Sequence, residues 1–401
     1  MAKTVAQSYD KTILFIKISS AVCGANVLSP AYRMNILTWI VIVCINLYYV
    51  FTGYTLYVNI YVEKDWPNVL QVLCYLGSAV QGYCKLLNAI HNKESLRFLD
   101  QELREIYLEY DQKHADYRYC LKTTIDRANK FIKFMIIFQI LISGSLIGVA
   151  PFYRLVFNQR IFVMQFLLPG VDPSTEYGYF VMNCMHCICI IFGSFGNFAA
   201  DLFFFVVVSH VPMFKDILTC KFHDLNDLLE EEVADNENNN NNNRIKDVRE
   251  DFRSLLIDIF KWHQRYLRFI AIVKENYFWV LLVEMGTVAL SLASTLFCLI
   301  LGTWPGGQSY LAYCFIMLYI YCGLGTVVEV TNDGFIDSCY TEIIWYKLPV
   351  SQRKMLRMML MMAQNTDGLT IGSVIPLSMN TGLQLTKTIY TMTMMLINFL
   401  E

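Results

Sequence analysis

From Ile36 to Ile60 the chain carries no Asp, Glu, Lys, Arg or His. A run of that length crosses the roughly 30 Å hydrocarbon layer of a bilayer as one helix, at about 1.5 Å per residue. Comparable runs follow at residues 69–90, 130–150, 179–208, 270–301, 309–329 and 369–399. In lipid a helix can satisfy all its backbone groups internally, which an open strand cannot. The pattern therefore predicts an all-α membrane protein of seven transmembrane helices. Charge content agrees, at 16% against about 25% for an average soluble domain. A net charge of −2 argues against a nucleic-acid partner. The first twenty residues hold no apolar segment followed by a small-residue cleavage site, so no leader is expected.

Lys and Arg are distributed unevenly. The connections 1–35, 91–127, 215–268 and 347–357 hold 24 of them, and the alternate connections 61–68, 151–178 and 302–308 hold three. Cytoplasmic loops carry the excess of positive charge. The N-terminus is thus expected inside and the C-terminus outside, the reverse of a G-protein-coupled receptor. The outer connections also lack Cys, no Asp-Arg-Tyr follows the third run, and no Asn-Pro-x-x-Tyr lies in the seventh. A secondary transporter is disfavoured because no inverted repeat is visible. An enzyme is disfavoured because His210 and His263 lack an accompanying nucleophile or carboxylate cluster. Most of the thirteen cysteines lie inside apolar runs and read as small packing residues. Cys184, Cys187 and Cys189 near His186 lack a second ligand cluster, so neither a metal nor another cofactor is expected.

Two stretches interrupt the pattern. The segment 222–253, with a run of Asn, is expected to be a disordered cytoplasmic loop. Residues 333–362 are too polar to span, yet Ile336, Tyr340, Ile343, Ile344, Met355, Met358, Met359 and Met362 recur at helical spacing. They predict a pair of amphipathic helices on the cytoplasmic side.

The stretch from Tyr321 to Pro349 resembles the C-terminal signature of insect odorant receptors: Tyr321, Cys322 and Gly325, then Tyr340, Trp345, Leu348 and Pro349. The runs around Asp201 and His210, around His263, and at Leu167–Pro173 are similar to other parts of that family, and the closing helix around Tyr390 and Leu396 resembles its ending. The Asn insertion and the stretch 364–377 depart from its common pattern. The resemblance implies a tuning subunit of an odorant-gated, non-selective cation channel, a heterotetramer with the odorant receptor co-receptor in the plasma membrane of olfactory neurons. A homotetrameric gustatory-type channel is the alternative, disfavoured because the end of the chain lacks that family's Thr-Tyr and Gln-Phe pattern.

On that reading, residues 1–35 form a cytoplasmic segment and 36–329 the first six helices. Residues 330–366 form an anchor where four subunits meet, carrying Tyr340, Trp345, Tyr346, Leu348, Met355, Met358, Met359 and Met362. Residues 367–401 form the last part of a split seventh helix. The resemblance makes this helix line the pore, with a gate at Met395 and with Thr391, Met394 and Asn398 beside it. Lys387 either faces the conduit or snorkels to the cytoplasm. A ligand pocket is expected in the outer half, from Leu73, Leu76, Val80, Ser145, Gly148, Phe152, Met182, His186, Tyr310 and Tyr313. Its aromatic, uncharged character suits a small apolar volatile.

Overall fold

The computed structural model describes residues 4–237 and 242–398. The helices run in order α1 (Val5–Val22), α2 (Ile36–Tyr57), α3 (Trp66–His91), α4 (Lys93–Tyr110), α5 (Ala115–Val156), α6 (Glu176–Ser209), α7 (Val211–Glu237), α8 (Asn242–Ile300), α9 (Gly307–Thr341), α10 (Val350–Gln364) and α11 (Met379–Asn398). A π-helical turn, Val58–Glu63, extends α2. Between α10 and α11 lies a small antiparallel hairpin, β1 (Thr370–Ile371) with β2 (Ile375–Pro376), in which Thr370 pairs with Pro376 and Ile371 with Ile375.

Local chemistry sets several of these starts. The Asn35 side chain accepts from Thr38 N–H at 2.8 Å and caps α2. Asp65 caps α3 by accepting from Asn68 N–H at 3.2 Å, with Pro67 in the first turn. The Thr175 hydroxyl caps α6 by accepting from Gly178 N–H at 3.0 Å.

Among the described residues, five helical stretches are long and apolar enough to cross a membrane, within α2, α5, α6–α7, α8 and α9. Helices α3 and α11 stand where the second and seventh runs were expected, but Gln71, Gln81 and Lys85 make α3 more polar, as Lys387 and several threonines do α11. At 42 residues α5 is about 63 Å long, roughly twice the thickness of the hydrocarbon layer. The extra turns of α5, α8 and α9 meet α4 and α7 in a packed core around Leu103, Tyr110, Leu121, Phe214, Trp262 and Tyr266, all almost fully buried. By contrast α2 keeps Ile36, Trp39, Val50 and Tyr57 on its surface, the apolar exterior a lipid-facing helix needs.

Helix α1 docks on that core. Tyr9 stacks on Tyr107 with ring centroids 4.8 Å apart and donates its hydroxyl to Asp100 Oδ1 at 3.1 Å. Burial, and then the Asp100 carboxylate, hold the Tyr9 phenol well above its ordinary pKa, so it stays a donor. His210 Nδ1 donates to the Val206 carbonyl at 2.7 Å, which leaves Nε2 to accept from the Tyr107 hydroxyl at 3.0 Å.

Three sequence expectations are corrected. First, the segment 222–253 is helical on both flanks, with only 238–241 outside the described residues. Phe222, Leu225 and Leu229 recur at helical spacing on a buried face of α7, as Phe252, Leu256 and Ile259 do on α8. Second, α9 does not stop near Glu329. It continues to Thr341 because Thr331, Asn332, Phe335, Ser338 and Cys339 form a buried stripe. Asn332 in this stripe is paired: it accepts from the Tyr266 hydroxyl and donates to the Thr366 carbonyl at 3.2 Å. Third, no helix begins at Leu369. Gly372 and Ser373 take positive φ, Pro376 has no N–H to give, and the Ser378 hydroxyl accepts from Thr381 N–H at 3.3 Å, so the helix starts at Met379.

Candidate functional site

A cavity of about 700 Å³ opens between α2, α3, α5, α6 and α9. That volume is in the range of small-molecule sites, and the lining is mostly apolar. Val41, Tyr48, Ile142, Leu146 and Phe192 contribute to its walls. Tyr310 and Tyr313, one turn apart on α9, close one side with ring centroids 6.2 Å apart. Tyr313 stacks on Phe138 of α5 at 6.4 Å. The Tyr310 hydroxyl donates to the Cys74 carbonyl at 2.9 Å and accepts from Ser78 at 2.9 Å, which locks α9 to α3.

The connection between α5 and α6 folds over this space through Met164 and Phe166. Three helices hold it by its backbone. His186 Nδ1 accepts from Met164 N–H at 3.4 Å, so the proton sits on Nε2, which donates to the Phe166 carbonyl at 2.9 Å. Leu167 N–H donates to the Thr55 hydroxyl at 2.7 Å, and the Tyr75 hydroxyl donates to the Val163 carbonyl at 3.3 Å. Outside this cover, Arg154 and Arg160 both pair with Glu176.

Beside the cavity lies a buried charge cluster. Lys85 Nζ of α3 is 2.7 Å from Asp201 Oδ1 of α6 and 2.9 Å from Glu284 Oε2 of α8, and the three side chains are at most 4% exposed. The Tyr321 hydroxyl of α9 donates to Asp201 at 2.5 Å. An unpaired Lys or Asp at the centre of a spanning helix costs on the order of 3 kcal/mol. Mutual pairing offsets that cost only while every member is present. Lys85 and Asp201 also line the cavity.

Helix α9 then passes its opposite edge to α11. Tyr319 Oη is 3.2 Å from Thr386 Oγ1, and Met379 N–H donates to the Thr326 hydroxyl at 2.9 Å. A Cβ on Gly382 would lie 3.0 Å from Cys322 Sγ, and one on Gly325 would lie 1.9 Å from the Leu377 carbonyl oxygen. Only glycine lets α9 approach α11 and the residue just after β2 this closely. Ile389 and Thr393 bury the inner side of α11, while Lys387, Thr391, Met394, Met395 and Asn398 remain on its outer side.

Of the residues singled out for the pocket, Tyr310 and Tyr313 lie in the cavity wall. Leu73, Leu76 and Val80 fall outside that lining, whereas Tyr75, Ser78, Ala79 and Gly82 of the same helix belong to it. Ser145, Gly148 and Phe152 lie on an exposed side of α5, and Ile142, Ser143 and Leu146 face the cavity instead. Met182 is fully buried, and His186 acts on the backbone of the covering segment. In the proposed anchor, Leu348 and Met359 are buried and Met355 is half-buried, while Tyr340, Trp345, Tyr346, Met358 and Met362 are exposed. Tyr340 and Trp345 stack at 6.1 Å. Asn226 of α7 braces the turn before α10, donating to the Glu342 carbonyl at 2.6 Å and accepting from Ile344 N–H at 3.1 Å. The charge cluster and the Asn226 brace were missed. The one available signal was a charged residue inside each of three apolar runs, at 85, 201 and 284.

A family model described as 7tm Odorant receptor matches residues 65–390, most of the chain. This chain belongs to the insect odorant receptor family. Odorant receptor 83c of Drosophila melanogaster is 28% identical to this family member over 387 residues, covering 96% of each chain. The fold is similar to that of the insect olfactory receptor OR5 from Machilis hrabei. The structure of that receptor in complex with eugenol matches with a TM-score of 0.75 at 16% identity, over 98% of this chain and 97% of that one. A second structure of OR5 matches with a TM-score of 0.72 at 17% identity, over 96% and 97%. The relatives are described as receptors, and no enzyme family is indicated.

Proposed function

We propose that this odorant receptor is the ligand-binding subunit of a non-selective cation channel, assembled as a heterotetramer with the odorant receptor co-receptor. The observation that carries the reading is the continuity of α9: Tyr310 and Tyr313 wall the cavity, and Tyr319, Cys322 and Gly325 contact α11 and the strand before it. A ligand that binds better when α9 is displaced favours that displaced state. Because Gly325 and Gly382 leave no slack, α11 and the hairpin move with it.

In this scheme the chain crosses the membrane seven times, N-terminus in the cytoplasm and C-terminus outside, in the plasma membrane of olfactory neurons. Residues 1–35 are the cytoplasmic segment, 36–329 the first six crossings, 330–366 the anchor and 367–401 the pore segment. The exposed side of α11, with Lys387, Thr391, Met394, Met395 and Asn398, faces the subunit axis, where apolar methionines can gate by dewetting. The exposed Tyr340, Trp345, Tyr346, Met358 and Met362 face a neighbouring subunit. The ligand is a small apolar volatile.

The test is whole-cell current from cells expressing the chain alone and with an insect odorant co-receptor, under a panel of volatiles. The reading expects current only from the pair, within a second, and insensitive to G-protein blockade. Current from the chain alone would replace the heteromer with a gustatory-type homotetramer.

A further inference from the structure

One wall of the cavity carries a station of uncharged polar side chains, apart from the Lys85–Asp201 pair. Gln139 and Ser143, one turn apart on α5, meet Ser194 of α6, and all three line the cavity. Gln139 Nε2 donates to Ser194 Oγ at 2.5 Å, and the Ser143 and Ser194 hydroxyl oxygens are 2.7 Å apart.

Counting protons shows what this station lacks. The two serines supply two O–H donors. Whichever serine donates across the pair uses one of them. Ser194 already accepts from Gln139, so in either arrangement one hydroxyl proton is left without an acceptor among the described residues. Neither serine is fully buried, so that proton is reachable from the cavity. Nearby, Tyr313 forms ring contacts, but its hydroxyl has no hydrogen-bond partner among the described residues. At this station the cavity therefore offers spare donors, whereas Asn197 Oδ1, elsewhere in the lining, is a buried acceptor with no partner among the described residues. Its cation does not add to them, because Lys85 is held by Asp201 and Glu284.

We propose that Gln139, Ser143 and Ser194 form the polar anchor of the cavity, and that it takes an apolar molecule carrying one hydrogen-bond acceptor, such as a ketone, aldehyde or ester oxygen. This rests on the reading of the chain as an odorant-binding subunit. Gln139 sets the polarity of the station: by donating to Ser194 it occupies one acceptor site and leaves a proton for the ligand. The remainder of the molecule lies against Ile142, Leu146, Phe192 and Tyr310.

The test uses matched probes on the full chain with the co-receptor: straight-chain methyl ketones, and the hydrocarbons in which a methylidene CH₂ replaces the carbonyl oxygen. A neutral hydrogen bond gives the ketones a potency advantage of roughly twofold to tenfold. In the Ser143→Ala, Ser194→Ala double variant that advantage should vanish while hydrocarbon responses persist, which also shows that the variant folds. Ser143→Thr, which keeps a hydroxyl, should keep it. Equal potency of ketone and hydrocarbon in the wild type, or an advantage that survives the double alanine change, overturns the anchor and leaves the receptor reading intact. If no probe or other volatile evokes current from surface-expressed pairs, the receptor reading fails and the anchor with it.

Discussion

Lys85 pairs with two buried carboxyl groups at once, and no other cation is in contact with either of them among the described residues. Lys85→Met should therefore destabilise the fold by about 3–5 kcal/mol, the usual cost of stranding one side of a buried pair. Thermal unfolding in detergent and surface labelling would register it. Adding Asp201→Asn and Glu284→Gln should restore much of the loss, since three neutral groups strand no charge. A Lys85→Met protein that melts and traffics as the wild type does would remove the cluster from this account. The same residues show the limit of reading at this scale. That residues 85, 201 and 284 interrupt apolar runs is plain from the sequence. That they meet is not, because Lys85 is more than a hundred residues from either carboxylate and the meeting depends on how α3, α6 and α8 rotate. The pocket was limited in the same way. The family resemblance put Ser145, Gly148 and Phe152 in the pocket, but a resemblance at this distance does not say which side of α5 faces inward. The structure turns Gln139, Ile142, Ser143 and Leu146 to the cavity instead.

At the scale of elements, α9 connects most of what matters. Gly325→Ala would place a Cβ 1.9 Å from the Leu377 carbonyl, so the hairpin must move off α9. The expected outcome is a surface-expressed protein whose odorant-evoked current is reduced at least severalfold, read by patch clamp against surface labelling. An unchanged dose–response would mean that the hairpin contact plays no part in coupling. Which elements exist was largely legible, because apolar length and capping residues such as Asn35, Asp65 and Thr175 are local features. Where helices extend beyond their apolar runs was not. The lower turns of α9 are polar in composition, and Asn332 earns its place only through Tyr266 and Thr366. The buried stripe on α7 was likewise hidden behind the neighbouring run of Asn.

At the scale of the whole molecule, the exposed side of α11 needs neighbours, and the assembly proposed here supplies them around an axis. Lys387→Glu should then shift the reversal potential toward divalent cations, because it replaces a repelling charge with an attracting one. An unchanged reversal potential would take Lys387 out of the conduit. That the chain is a multi-helix membrane protein was legible from its apolar runs, since the bilayer sets their length. The cavity was not, because it exists only between helices.

On the proposed function, a volatile occupying this cavity opens the channel. The most direct measurement fills the cavity from within. Ala79 of α3 lines it and is only half-buried. Dose–response curves for the co-expressed pair should show a potency loss with Ala79→Val and a larger one, tenfold or more, with Ala79→Trp, at constant surface expression and unchanged basal current. That scale follows from displacing a well-packed ligand group, on the order of 1–3 kcal/mol. If Ala79→Trp responds to every volatile as the wild type does, the ligand binds elsewhere and the account is wrong.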